Sequence, residues 1–253
     1  MSQGFHIIIP ARFQSTRFPG KLLMKLDGIS ILERVYRQAC LSEAKSIIIA
    51  TDNEVIAQHA HQFGALVKMT ANTHQSGSDR LAQVVTEGDY AAEDIIVNVQ
   101  GDEPFISPQS IAQVAALLEN TKAPVSTLCW PIKTIEELHN HNIVKVVRSC
   151  DNYALYFSRS PIPAHRDEIN SFSHSFKHIG LYAYRAAFLL ELVQWPACEL
   201  ELAEALEQLR ILWHGAAIKV EIACVKPLQD INTKEDLILA QKFCKHVTSG
   251  WPR

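Results

Sequence analysis

Short apolar, β-branched runs alternate with stretches of helical period along most of this chain. Residues 5–9 form one such run, ended by Pro10, which predicts a buried strand. Similar runs recur at residues 46–50, 94–99, 126–130 and 144–147. Between them, apolar positions three and four apart predict amphipathic helices over residues 30–41, 54–63, 79–86 and 108–118. Asn53, and Ser107 ahead of Pro108, suit helix starts. Strands alternating with helices imply right-handed crossovers and a mostly parallel sheet. The expected fold class is α/β, a three-layer Rossmann-like arrangement with helices on both faces.

From about residue 140 to residue 215 the pattern changes. Aromatic-rich runs at 153–158 and 178–185 flank a polar, turn-prone segment at 164–175, which predicts antiparallel strands in a smaller β-rich lobe. Residues 200–213 read as one helix stopped by Gly215, 217–225 as a strand, and 233–246 as a closing helix capped by Thr233. The expected division is a core of residues 1–139 and 216–253, with 140–215 as the lobe.

Composition narrows the class only slightly. The 253 residues are 47% hydrophobic and 20% charged, as in an ordinary globular protein. A net charge of −3 gives no reason to expect nucleic acid or an anionic membrane as partner. No basic start followed by an apolar stretch suggests a signal peptide, and no run reaches the length of a membrane span. The six cysteines are scattered without a C-x-x-C pair, so free thiols in the cytoplasm are expected.

Candidate chemistry sits at the ends of the predicted strands. Arg12, Arg17 and Lys21 place three cations in ten residues, between the breakers Pro10 and Pro19-Gly20. A loop at the carboxyl end of a strand is where ligands of open α/β sheets bind. Arginine offers a fork to phosphate oxygens, lysine a point charge, and Gly20 allows close backbone approach. Neither G-x-x-x-x-G-K-[ST] nor G-x-G-x-x-G is present, which removes the commoner phosphate loops. In residues 97–104 a buried strand runs into Asp102 and Glu103, with Gly101 before them. Carboxylates at such an edge suit a magnesium ion shared with phosphates. Each feature alone could be a solvated turn; together they describe a triphosphate–magnesium pocket.

The ordered motifs sharpen this. I-P-A-R-x-x-S-T-R-x-P-G-K at residues 9–21, A-T-D at 50–52, H-Q-S-G-S-D-R at 74–80 and N-V-Q-G-D-E-P at 98–104 are followed by Y-A-L-Y-F-S-R at 153–159, H-I-G-L-Y-A-Y-R at 178–185 and L-E-Q-L-R at 206–210. In this order they resemble the 3-deoxy-manno-octulosonate cytidylyltransferase (CMP-Kdo synthetase) family over about residues 5–240.

The resemblance implies transfer of CMP from CTP to the anomeric hydroxyl of a 3-deoxy sugar acid, for lipopolysaccharide synthesis, with Mg2+ as cofactor and a homodimer formed through the lobe. It implies that Pro10, Ala11, Arg12, Arg17, Lys21, Thr51, Asp52, Met69, Thr70, Ser76, Gly77 and Arg80 hold the nucleotide. Gln100, Arg159, His178, Tyr182, Glu207 and Gln208 would contact the sugar acid. Arg12, Lys21 and Asp102 would be catalytic, with Asp102 and Asn232 as metal ligands. Two departures stand out. Asn232 occupies the place of the family's second acidic ligand, with Asp230 two residues upstream, and Ser78 replaces a threonine. The residues leave open an 8-amino octulosonate or a sialic acid as acceptor, or a nucleotide-binding homologue of weak activity.

Overall fold

The structure, a computed structural model, describes all residues except 1–3, 14–17, 75, 120, 169–170, 229–230, 232–233 and 247–253. The amino-terminal half alternates strand and helix as its periodicity requires: β1 (Phe5–Ala11), the small hairpin β2 (Lys25–Leu26) and β3 (Ile29–Ser30), α1 (Ile31–Cys40), β4 (Ser46–Thr51) and α2 (Glu54–Gln62). It continues through β5 (Leu66–Met69), α3 (Gly77–Glu87), β6 (Ile95–Asn98), α4 (Pro108–Glu119) and β7 (Val125–Pro131). The remainder comprises α5 (Ile135–His139), β8 (Lys145–Arg148), β9 (Ala154–Ser158), β10 (Phe176–Arg185), α6 (Ala186–Leu192), α7 (Glu199–Glu204), α8 (Gln208–Trp213), β11 (Ile218–Ile222) and α9 (Lys234–His246).

A nine-stranded sheet carries the order β11-β7-β10-β6-β1-β4-β5, with β8 attached to β10 and β9 to β8. β6, β1, β4 and β5 are mutually parallel, as are β7 and β11, so the expected parallel core is present. β10 runs antiparallel between β6 and β7, and its first residues pair with β8. The antiparallel strands therefore extend the same sheet. Apolar side chains pack on both faces. Ile7, Ile9, Val35, Ile56, Ile111 and Val114 lie in one layer, with α1, α2 and α4; Ile8, Leu81, Val84, Tyr184, Leu189 and Leu209 lie in the other, with α3, α6 and α8. This is the three-layer α/β architecture.

Residues 200–213 depart from the single helix expected of them. Ala205 takes a left-handed conformation (φ 50°), which divides the segment into α7 and α8. Local leucine spacing favours one helix, but tertiary contacts to the turn decide the outcome. Among the described residues five cysteines are free, of which Cys129 and Cys198 are buried.

Candidate active site

β1, β4 and β6 are parallel, so their carboxyl ends open on one edge of the sheet, and the candidate residues gather there. Arg12 follows β1 and donates from Nη2 to the carbonyl of Ser76, 2.6 Å away. Ser76 caps α3: its hydroxyl accepts from the Asp79 amide while the Asp79 carboxylate accepts from the Ser76 amide. The basic loop is thus tied to a helix amino terminus, itself a favourable place for phosphate. Burial lowers the Arg12 pKa, and nearby Arg80 adds to the effect against Asp52, Asp79 and Glu207.

Lys21 begins a short 3-10 turn after Gly20, whose φ of 70° is left-handed and suits glycine. Its buried ammonium forms an ion pair with the Asp102 carboxylate and donates to the Ile231 carbonyl at 3.1 Å. Gly101 brings Asp102 close to β1: a Cβ there would lie 3.0 Å from the Pro10 carbonyl oxygen. The expected cation and carboxylate meet at one point. Arg17 and Asn232, with Asp230, lie outside the described residues.

The residues expected around base and ribose are equally compact. Arg80 is fully buried, pairs with Asp52 at 2.8 Å and donates to the Thr70 hydroxyl. Thr70 in turn donates its amide to the Thr51 carbonyl at 2.8 Å. Gly77 opens α3 against Pro10, and Met69 is exposed at the end of β5. Arg80 therefore ties α3 to the ends of β4 and β5.

On the other side of β6 lie the residues expected to meet the sugar acid. His178 and Tyr182 face each other on β10, ring centroids 5.2 Å apart, and Tyr182 stacks on Tyr184. Between them the strand bulges at residues 179–182, where Thr127 Oγ1 lies 3.0 Å from the Ile179 carbonyl and 2.8 Å from that of Leu181. That hydroxyl also meets His178 Nε2 at 3.0 Å. Burial pushes His178 down to about 3, so its ring is neutral at ordinary pH. Glu207 precedes α8 and bonds to Ser78 on α3; burial raises its carboxyl pKa. Gln100, in the turn after β6, and Gln208, the first residue of α8, are half-buried. Arg159 is committed elsewhere: its guanidinium donates to the carbonyls of Glu204 (2.6 Å), His141 (3.0 Å) and Ala205 (3.2 Å). It holds the α7–α8 turn, with three of its five N–H groups engaged.

Residues 6–222 match the model of a family described as cytidylyltransferase. A 3-deoxy-manno-octulosonate cytidylyltransferase of Legionella pneumophila (strain Lens) is 66% identical over 243 residues, 96% of this chain and 97% of its own. The chain belongs to the 3-deoxy-manno-octulosonate cytidylyltransferase family. A family member from Pasteurella multocida (strain Pm70) is 46% identical over 92% of this chain and 96% of its own. The solved structure of CMP:2-keto-3-deoxy-manno-octonic acid synthetase complexed with CTP superposes with a TM-score of 0.88 at 35% identity, covering 96% of this chain and 99% of that one. This chain is accordingly a nucleotidyltransferase of that family.

Three further residues, not named as candidates from the sequence, support the site. Asp79 completes the α3 capping box, Thr127 bridges the β10 bulge, and Glu204 accepts from the Ser158 hydroxyl at 2.6 Å and the Arg159 amide at 2.9 Å. Only the S-x-x-D spacing at residues 76–79 could have been found in advance.

Proposed function

We propose that this protein transfers CMP from CTP to the anomeric hydroxyl of 3-deoxy-D-manno-octulosonate, giving the CMP-sugar and pyrophosphate. The observation that carries this reading is the convergence of Arg12, Lys21 and Asp102 on the edge where β1 and β6 end. In this reading Arg12 and Lys21, with Arg17, grip the triphosphate beside the amino terminus of α3. Thr51, Asp52, Met69, Thr70, Ser76, Gly77 and Arg80 shape the cytidine pocket with Pro10 and Ala11. Gln100, His178, Tyr182, Glu207 and Gln208 receive the sugar acid. Arg159 holds the turn that presents the last two and has remaining N–H groups for its carboxylate.

Mg2+ fits this edge as a shared ion. Among the described residues no cluster of three His, Cys, Asp or Glu side chains could hold a metal alone. Asp102 is instead a single hard oxygen donor, about a quarter open (27%), and magnesium commonly binds one or two carboxylates plus substrate phosphates. Asp102 would hold it, with Asn232 as second ligand, and the ion would neutralise charge on the phosphates. The chain's own part is alignment: it brings the anomeric oxygen in line with the α-phosphorus while Arg12 and Lys21 offset charge on the departing pyrophosphate. A cytoplasmic homodimer serving lipopolysaccharide synthesis belongs to the same proposal. It is supported by the family alone; among the described residues no helix is long and apolar enough to cross a membrane.

Lys21→Ala and Asp102→Ala test the convergence. Each is expected to fold, with wild-type circular dichroism, and to lose about 10²–10³-fold in pyrophosphate release, the scale of a removed charge-stabilising donor. Wild-type rates in either variant would overturn the assignment.

A further inference from the structure

Asn98 ends β6, a strand whose other residues, Ile95, Ile96 and Val97, are buried and apolar. Directly opposite it on antiparallel β10 stands Tyr182, and on its other side, in parallel register, Ile8. Residues so paired project to one face of a sheet. Ile8, Ile96 and Tyr182 share one apolar layer, so Asn98 lies on that face too.

Asn98 and Tyr182 are 4% and 8% exposed, and neither Asn98 Oδ1 nor the Tyr182 hydroxyl makes a hydrogen bond of normal geometry among the described residues, although Thr127 lies close enough to act on the Tyr182 phenol. A buried polar atom without a partner carries the full desolvation penalty of the group, and an apolar side chain would avoid it. Here two such atoms fall on facing positions of neighbouring strands. Their place is informative as well. β6 leads within four residues to Asp102, and the same layer brings Glu207 into the electrostatic field of both Tyr182 and Tyr184.

The chemistry of the pair is complementary. An amide oxygen only accepts, whereas a phenol can donate or accept. Burial, reinforced by Tyr184 and Glu207 and opposed by Thr127, raises the Tyr182 pKa, which keeps that phenol a donor. One hydroxyl group can satisfy both, donating to Asn98 and accepting from Tyr182. We infer that Asn98 is a specificity-determining contact for the acceptor: with Tyr182 it reads one hydroxyl of the sugar acid. This rests on the cytidylyl-transfer reading above. A site built to bond a hydroxyl discriminates strongly, because its own buried groups are left unpaired by an analogue that lacks the hydroxyl.

Asn98→Leu, Tyr182→Phe and the double variant test it, with steady-state kinetics on each substrate and thermal unfolding. Asn98→Leu removes an unpaired polar atom, so its melting temperature should equal or exceed that of the wild type. Its kcat/KM for the sugar acid should fall about 10–100-fold, the loss of one or two hydrogen bonds to a buried site, while KM for CTP stays within about twofold. The double variant should lose less than the product of the two single losses, since both contact one hydroxyl. A lowered melting temperature with unchanged acceptor kinetics overturns the inference, as does an equal loss on both substrates. If Asn98→Leu does not fold, Asn98→Ala must show the acceptor-specific loss, and wild-type acceptor kinetics there overturn it too. A wild-type protein inactive on the octulosonate would instead overturn the functional reading itself.

Discussion

Arg80 and Lys145 head the largest fully buried side chains among the described residues, and both are cations. A charge this deep persists only where bonded groups surround it. Arg80 finds Asp52 and Thr70 and so ties α3 to the ends of β4 and β5. Among the described residues no carboxylate forms an ion pair with Lys145; its ammonium donates to the carbonyls of Asn140 (3.1 Å), Ile143 (2.6 Å) and Arg159. Burial, with the field of Arg159 added, lowers its pKa from 10.5 to about 8. Between those two values the unfolded chain binds more protons at this lysine than the folded one, so its contribution to stability rises with pH there. The melting-temperature difference between wild type and Lys145→Met is expected to grow in favour of the wild type from about pH 8 to 10.5 and to be flat below that window. A pH-independent difference would contradict this. Nothing in the sequence around Lys145 announces it, since a lysine in a β-branched run usually points to solvent.

The elements whose register is local were legible, and those set by distant partners were not. β1, β4 and β6 read correctly because buried parallel strands are continuous apolar runs. β5 did not, because it is a short edge strand with Leu66 (63%) and Met69 (44%) exposed. The antiparallel insertion of β10 between β6 and β7 depends on pairing across the whole sheet and has no local mark. The α7–α8 break is the plainest case. Ala205 holds its left-handed φ because Arg159 and Ser158 fix the turn through Glu204 and the Ala205 carbonyl. A left-handed residue with a Cβ costs about 1–2 kcal/mol, which glycine relieves. Ala205→Gly should therefore raise the melting temperature by about 2–4 °C, read by calorimetry. A clear fall would show that the turn is not strained as described. Glu207 and Gln208, proposed above to receive the sugar acid, follow this turn directly.

At the scale of the whole molecule, one sheet edge collects residues from β1, β4, β6, β10, α3 and α8, spread from Pro10 to Gln208. The basic loop and the Asp102 strand were legible because each joins a strand pattern to charges that the pattern does not require. Their meeting as Lys21–Asp102 was implied by parallel topology and is seen in the fold. Asn98 was not legible as a contact, because an asparagine ending a strand reads as an ordinary turn residue, whereas Tyr182 entered through the motif resemblance. All these features serve one claim, cytidylyl transfer to an octulosonic acid. Its most direct test is pyrophosphate release by the purified protein with Mg2+, across pairs of nucleotide and sugar acid. The account predicts release that requires both CTP and 3-deoxy-D-manno-octulosonate, with the CMP-sugar formed in equal amount. Binding of CTP without pyrophosphate release for any acceptor, or equal release with a sialic acid, would contradict it.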